Sequence, residues 1–326
     1  MPAESRDLLP LVRKKVGDFL YSYGTFPDEE FEQREGYESE YQTADGEDGQ
    51  RYRTEVLVSA EKLVPLFLDL VGLLPERVFV SLERASADLY RRWDEFTSAE
   101  TSRARFLEVF QEHHVVFTED GHLGVGAFAA EPPVEVFLGS HKEVVVFAPD
   151  HTPVVEILRR HGVKPCKLDL FYQRDHQHVA LTEYRGMRAP HFDYLQVADR
   201  VRHALDMSLQ QDEDENVDDE GRPLGLVPWH AVVVGAVRRR ARAQRRANRD
   251  FLQEFGLTAS SRREARTLLE RRFERDGFGL QSIEELFRVD VEALPAHVRP
   301  PAAALARAGI WYVGDKTDWD PEEDTP

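Results

Sequence analysis

The chain has 326 residues, of which 41% are hydrophobic, and a formal net charge of −18. This apolar content excludes a fully disordered chain, and its length predicts two domains. No run of apolar residues is long enough for a membrane-spanning helix, and the N-terminus lacks the apolar stretch of a signal peptide. The single cysteine, Cys166, excludes an internal disulfide and a cysteine-rich metal site. We therefore expect a cytoplasmic protein with no membrane association.

The acidity is concentrated in three segments, 27–50, 211–222 and 313–326. Like charges at this density favour solvated, extended chain. We predict an acidic linker or loop at 23–51, an acidic loop at 211–222 and an acidic tail at 315–326.

The N-terminal half alternates between short β-rich runs and helical patterns. Apolar spacing predicts an N-terminal helix within 1–22, and the region 52–189 is predicted to form an α+β domain. A capping box at Thr97-x-x-Glu100 predicts a helix to about Gln111, and Thr152-Pro153 opens another helix that Gly162 ends. Hairpin-linked strands favour an antiparallel or mixed sheet with helices on one face. The predicted strands are 54–59, 77–82, 114–118, 122–129, 134–138 and 143–148, and a hairpin follows over 167–172 and 178–184.

The region 190–326 is predicted to be a helical domain. A helix is expected over 191–209, a long helix over 227–255, and a last helix after Arg299-Pro300-Pro301. Capping boxes at Ser261-x-x-Glu264 and Ser282-x-x-Glu285 predict two more helices, which end near Gly277 and Leu294. The predicted fold class is therefore α+β, with an all-helical C-terminal region.

Common catalytic and nucleotide-binding motifs are absent from the sequence. The glycines Gly121, Gly124 and Gly126 lie in a predicted hairpin instead of a strand-to-helix turn, so they lack the amide cradle that a phosphate needs. We interpret them as structural glycines, and we expect no cofactor. No catalytic residue can be assigned from sequence.

The best metal-site prediction combines His176-x-His178 with His191-x-Asp193. Side chains at i and i+2 of a strand point to the same side, so His176 and His178 can grip one ion, and the second pair would complete a tetrahedral site. The alternative is that all four are polar hairpin and loop residues.

A basic run between residues 238 and 249 is the sharpest electrostatic feature. On a helix, Arg238, Arg242, Arg245 and Arg249 share one face, which suits a phosphate backbone. The same face also suits the chain's own acidic segments, and the net negative charge repels nucleic acid at long range.

One local resemblance is carried by Leu286-Phe287-Arg288-Val289-Asp290, Val298-Arg299 and the stretch from Ala304 to Asp315, which includes Gly309-Ile310-Trp311-Tyr312-Val313-Gly314-Asp315. On these residues, 284–316 resembles the first half of the C-terminal domain of the RNA polymerase alpha chain, a helical module that binds promoter DNA. The DNA-contacting arginine of that family would fall at Pro300 and its asparagine at Ala303. The resemblance therefore implies a helical packing unit and does not carry DNA binding with it.

These patterns favour a non-enzymatic interaction or regulatory protein whose partner is another protein. Two alternatives remain open. One is a nucleic-acid-associated protein that uses the arginine-rich helix 238–249, and the other is a metal-dependent enzyme at the His176/His178/His191/Asp193 site.

Overall fold

The computed structural model describes residues 8–43, 50–237 and 250–319. The chain divides into two compact units, one made of 1–85 and 94–210 and the other of 86–93 and 211–326. The described residues contain seventeen strands in four sheets and six α-helices that are spread along the chain. The predicted fold class is therefore wrong, because the C-terminal region is built on strands and is not helical.

The first unit is organised around a nine-stranded sheet. Its main path runs β13-β7-β6-β9-β10-β11-β5-β4, and β8 pairs with β6. Two further pairs, β1 with β2 and β3 with β12, form small two-stranded sheets. The strands are β1 (Lys15–Val16), β2 (Phe19–Leu20), β3 (Thr25–Pro27), β4 (Gly36–Thr43), β5 (Gln50–Leu57), β6 (Arg77–Ala85), β7 (Trp93–Ser98), β8 (Thr101–Ser102), β9 (Leu123–Ala129), β10 (Val134–Leu138), β11 (Val144–Ala148), β12 (His176–His178) and β13 (Met207–Leu209).

Four helices cover one face of this sheet: α1 (Ala60–Val71), α2 (Arg103–Glu119), α3 (Thr152–Arg160) and α4 (Tyr194–Ala204). Strands β10 and β11 alternate strictly between buried and half-buried residues, as expected when one sheet face is packed against helices. The buried set includes Val136, Val144 and Val146, which join the main core with Phe67 and Phe110 of the helices.

The glycines of β9 have a packing role. A Cβ at Gly126 would lie 2.6 Å from Cδ2 of Phe137, and one at Gly124 would lie 3.0 Å from its Cζ. The Phe137 ring therefore lies against the bare backbone of β9 on the second sheet face. This contact supports the interpretation of these glycines as structural.

Two more glycines fix a close backbone crossing where α2 ends. The N–H of Gly24 donates to the carbonyl of Glu119, and a Cβ at Gly24 would lie 2.2 Å from the backbone nitrogen of Gly121. The carbonyl of Gly24 accepts from the N–H of Val179, which directly follows β12. The β3–β12 ribbon is thereby held at the turn between α2 and β9.

Several N-terminal predictions are wrong. The predicted helix within 1–22 is replaced by the short strands β1 and β2, and the predicted linker at 23–51 contains β3 and β4. Residues 114–118, predicted as a strand, belong to α2, which begins at Arg103 with Ser102 as its N-cap. Thr97 lies in β7, so its apparent capping box starts no helix.

The second unit contains a four-stranded antiparallel sheet in the order β16-β14-β15-β17. Its elements are β14 (Val227–Val237), β15 (Asp250–Ala259), α5 (Arg262–Asp276), β16 (Phe278–Arg288), α6 (Ala302–Leu305) and β17 (Gly309–Trp319). Helix α5 packs on one sheet face, where Phe273 contacts Phe251 and Phe255. The predicted helices over 227–255 and after Ser282 are wrong, because the described residues of these segments, 227–237, 250–255 and 282–288, belong to β14, β15 and β16. Residues 238–249 of the first predicted helix lie outside the described residues. The β-branched run of β14 favours a strand, and its antiparallel pairing with β15 supplies the hydrogen bonds of both.

Helix α5 follows its sequence signals closely. The Ser261 side chain accepts from the N–H of Glu264, and Gly277 adopts a left-handed conformation with φ of 80° just after the helix. The predicted helix from Ser261 to about Gly277 is confirmed.

A buried charge pair lies in the second unit. The side chains of Arg288 and Asp88 are 1% and 0% exposed, and Nη2 of Arg288 lies 2.8 Å from Oδ1 of Asp88. Nε of Arg288 also donates to Asp88, and Nη1 donates to Oδ1 of Asn216 and to the carbonyl of Val217. The aspartate comes from the eight-residue segment 86–93, so the ion pair ties that segment to β16.

The acidic segment 211–222 makes defined contacts. Nη2 of Arg266 lies 2.8 Å from Oε1 of Glu213, and the carbonyl of Glu213 accepts from the N–H of Arg263. Asp218 accepts from the backbone and the side chain of Arg222. This segment is therefore held against α5 by its own acidic residues.

Among the described residues, no helix combines the length and the apolar character required to cross a bilayer.

Candidate metal centre

Three histidines bring their Nε2 atoms together in the first unit. Nε2 of His176 lies 3.2 Å from Nε2 of His141 and 3.1 Å from Nε2 of His178. The ligand atoms of all three residues lie within 4.8 Å of one another, and all three side chains are half-buried. In the described part of the chain, this is the one group of three or more metal-ligating side chains whose ligand atoms meet in this way.

The strand geometry explains why His176 and His178 converge. They stand at i and i+2 on β12, so both point to the same side of the β3–β12 ribbon. His141 comes from the turn between β10 and β11. The neighbouring Lys142 holds this turn in place, because its buried Nζ donates to the carbonyls of Phe117 and Leu123. Lys142 itself adopts a positive φ of 68°.

The other ring nitrogens show which tautomers are present. Nδ1 of His176 lies 2.8 Å from the carbonyl oxygen of Arg174, and Nδ1 of His178 lies 2.5 Å from that of Gly121. A carbonyl only accepts, so each Nδ1 carries the proton and, in the neutral ring, each Nε2 presents a lone pair. Two lone pairs that face each other at 3.1 Å repel unless a cation lies between them. The geometry therefore suits a shared cation.

Burial keeps His141 and His178 in the neutral form that binds a metal. Burial, assisted by His178 and His176, lowers the pKa of His141 to about 3. Burial also lowers the pKa of His178. Neutral imidazoles are the metal-binding form of histidine, so neither ring must lose a proton to bind an ion at neutral pH.

The surroundings of His141 orient its ring. Tyr172 stacks on it with ring centroids 4.5 Å apart, and the Tyr172 hydroxyl donates to Glu55. Oε1 of Glu143 lies 4.0 Å from Nδ1 of His141. Burial raises the pKa of Glu143 to about 7. A carboxylate that accepts from a ligating histidine is a common outer-shell arrangement in metal sites, and Glu143 lies just beyond hydrogen-bond distance of that nitrogen.

The two nitrogen separations that involve His176 fit a tetrahedral ion. Zinc binds histidine nitrogens at about 2.0–2.1 Å, and at that distance nitrogens about 3.1–3.2 Å apart subtend an angle of roughly 100° at the metal. This is near the tetrahedral value. Three protein ligands leave a fourth position for an exogenous ligand, an arrangement typical of catalytic zinc sites.

Two of the four residues in the sequence-based site take part in this cluster. His176 and His178 come together, and the third member is His141 instead of a residue from the His191/Asp193 pair. His191 is exposed before α4, and Oδ1 of Asp193 caps that helix by accepting from the N–H groups of Leu195 and Gln196. Participation of this second pair stays a prediction.

His141 could not be found from local spacing, because it lies 35 residues before His176. It is placed by the antiparallel pairing of β10 with β11 and by the buried Lys142. The only signal in the sequence is a histidine in a short turn between two predicted strands.

The other sequence-based site falls outside the described residues. This applies to Arg238, Arg242, Arg245 and Arg249, so their proposed phosphate-binding role stays a prediction. The segment 284–316, which resembles the domain of the polymerase alpha chain, runs from the end of β16 through α6 into β17. That resemblance is likewise a prediction.

No family model, no curated protein and no solved structure matches this chain. The geometry of the His141/His176/His178 cluster therefore carries the functional argument.

Proposed function

We propose that this protein binds one divalent transition-metal ion of the zinc type at His141, His176 and His178. The observation that supports the proposal is the meeting of three Nε2 atoms, two of which belong to rings whose Nδ1 atoms donate to backbone carbonyls. Imidazole ligands suit zinc, copper, nickel and iron, and a three-nitrogen set with one open position suits zinc best.

Metal content tests the proposal directly. Purified protein is incubated with Zn²⁺, dialysed, and analysed for metal and protein. We expect about one ion per chain, and we expect the variants His176→Ala and His178→Ala to lose more than about 100-fold in affinity, since loss of an outer-shell partner alone costs 10–100-fold.

Matched controls come from the second histidine pair. His191→Ala removes an exposed imidazole, and Asp193→Asn keeps an N-cap residue for α4 while removing a carboxylate ligand. Both variants should bind zinc as the unaltered protein does. Zinc that is retained by His176→Ala but lost from His191→Ala would contradict the proposed ligand set.

A metal-dependent enzyme is the second candidate function, and the open fourth position favours it. A metal ion bound there would lower the pKa of a coordinated water and supply a nucleophile near neutral pH. The assay is hydrolysis of p-nitrophenyl acetate by zinc-loaded protein. Activity that is lost with His178→Ala and retained with His191→Ala would support this candidate, and equal rates in all three proteins would contradict it.

The remaining sequence-based interpretations continue as proposals. A cytoplasmic location and a protein partner are consistent with the single cysteine and the charged segments. A pull-down that depends on the acidic segments would test the partner, and fractionation would test the location.

A further inference from the structure

A cavity adjoins the three-histidine cluster. The free room within it suits a group about the size of one water molecule. His141 belongs both to the cluster and to the cavity wall. The wall is otherwise aromatic and aliphatic, except for Ser22, Thr25 and Lys142.

Thr25 presents a polar atom without a partner in this wall. The residue is 1% exposed, and its Oγ1 makes no hydrogen bond. Leaving a buried hydroxyl unsatisfied is costly, so such an atom needs a ligand or a water as its partner. Ser22 does not fill this role, because its Oγ contacts the backbone N–H and carbonyl of Thr25.

Thr25 faces the same side as the histidines. It lies directly opposite His178 in the β3–β12 ribbon, and residues opposite each other in an antiparallel pair share a face. The unpartnered Thr25 hydroxyl therefore lies on the same side of the ribbon as the Nε2 atoms that would bind the metal. A ligand on the open side of the ion can reach the Thr25 hydroxyl.

The charge at the metal position favours one sign of charge on the fourth ligand. Lys142 is the charged side chain among the lining residues, but its Nζ donates to two backbone carbonyls, and Asp120, Glu143 and Glu119 offset its charge. The positive charge offered to a ligand is therefore that of the divalent ion, which three neutral imidazoles leave uncompensated. The site therefore favours an anion over a neutral molecule of the same size.

We propose that the fourth metal position takes a small inorganic anion, such as hydroxide or azide, whose metal-bound atom occupies this water-sized room and accepts a hydrogen bond from Oγ1 of Thr25. This inference rests on the proposed metal-binding function. The step is a ligand exchange in which the anion forms a bond to the metal and the bound water leaves. No electron or group transfer is involved.

Cobalt substitution provides the readout, because tetrahedral Co²⁺ absorbs visible light and its spectrum reports on the fourth ligand. The Co²⁺-loaded full chain is titrated with azide and, separately, with benzoate, which is too large for the cavity. We expect azide to shift the spectrum with saturation and benzoate to leave it unchanged. In Thr25→Val the azide dissociation constant should rise about five- to ten-fold, since one hydrogen bond is lost.

Two variants control for folding and for the loss of a buried hydroxyl. Thr25→Ser keeps the hydroxyl and should keep azide affinity within about two-fold. Thr54→Val removes a buried hydroxyl that bonds to Ser39, away from the cluster, and should leave azide affinity unchanged. If Thr25→Val fails to fold, a Thr25→Ser variant that binds azide as the unaltered protein does still supports the proposal.

The outcomes separate the two proposals. Failure to bind Co²⁺ would overturn the metal-binding function itself. Binding of Co²⁺ without any azide-dependent shift, or binding of benzoate as tight as that of azide, would overturn only the small-anion site. An azide affinity that is equal in Thr25→Val and in the unaltered protein would show that Thr25 does not belong to the anion site.

Discussion

Removal of the Asp88 carboxylate should destabilise the second unit strongly. In Asp88→Ala the Arg288 guanidinium stays buried, with its side chain 1% exposed, and loses the oxygens that Nε and Nη2 contact. Breaking a buried pair by removing one partner costs about 3–5 kcal/mol. The rings of Tyr90 and Trp229, at 5.2 and 5.8 Å from the guanidinium carbon, continue to attract the charge. We therefore expect a loss near the lower limit, about 3 kcal/mol.

Tryptophan fluorescence during urea unfolding measures this loss, because Trp229, Trp311 and Trp319 belong to the second unit and Trp93 is the last residue of its segment 86–93. The exposed pair Arg263–Asp214, with side chains 62% and 63% exposed, lies in the same unit and supplies the control. Asp214→Ala should change stability by less than about 1 kcal/mol. The double variant Asp88→Ala/Arg288→Met should be more stable than Asp88→Ala alone, because it leaves no buried charge. A loss below about 1 kcal/mol in Asp88→Ala would refute the reasoning.

Three further predictions concern the first unit. Zinc at 100 times its dissociation constant should raise the unfolding free energy by about 2.7 kcal/mol, and calorimetry should show no such gain for His176→Ala. Burial, with Glu95 and Glu135 nearby, raises the pKa of Glu83 to about 7. The folded state therefore keeps a proton that the unfolded state releases near pH 4.5. As a result, the free energy of unfolding falls as the pH rises from about 4.5 to about 7. In urea titrations, the unfolding free energy of Glu83→Gln relative to that of the unaltered protein should rise by about 2 kcal/mol from pH 5 to pH 8. A difference between the two proteins that is the same at both pH values would contradict this prediction. Gly126→Ala places a methyl group 2.5 Å from the carbonyl oxygen of Val136 and 2.6 Å from Cδ2 of Phe137, and should cost about 1–3 kcal/mol by thermal unfolding. The absence of a loss would contradict this close approach of β10 to β9.

Sequence patterns predicted the elements whose signals are local. The strand 134–138 coincides with β10, and α5 begins and ends where Ser261 and Gly277 indicate. In each case the determining groups lie within a few residues of one another. Alternating burial and a capping box need no knowledge of the rest of the fold.

The failures share a physical cause. The segment 278–288 carries Ile283, Leu286 and Phe287 at helical spacing, yet it forms β16 because β14 lies beside it and irregular registers absorb the mismatch. Tertiary pairing overrides propensity there. Only part of the metal site could be predicted for the same reason. His176 and His178 are close in sequence, whereas His141 is brought to them by the pairing of β10 with β11.

The ion pair between Arg288 and Asp88 also bears on the synthesis of the chain. The two residues are 200 positions apart, so Asp88 leaves the ribosome roughly 10–40 s before Arg288 at 5–20 residues per second. During that interval the segment 86–93 has no basic partner, and its carboxylate must stay hydrated. The second unit is therefore completed last, and a nascent chain that stalls before Arg288 cannot close it.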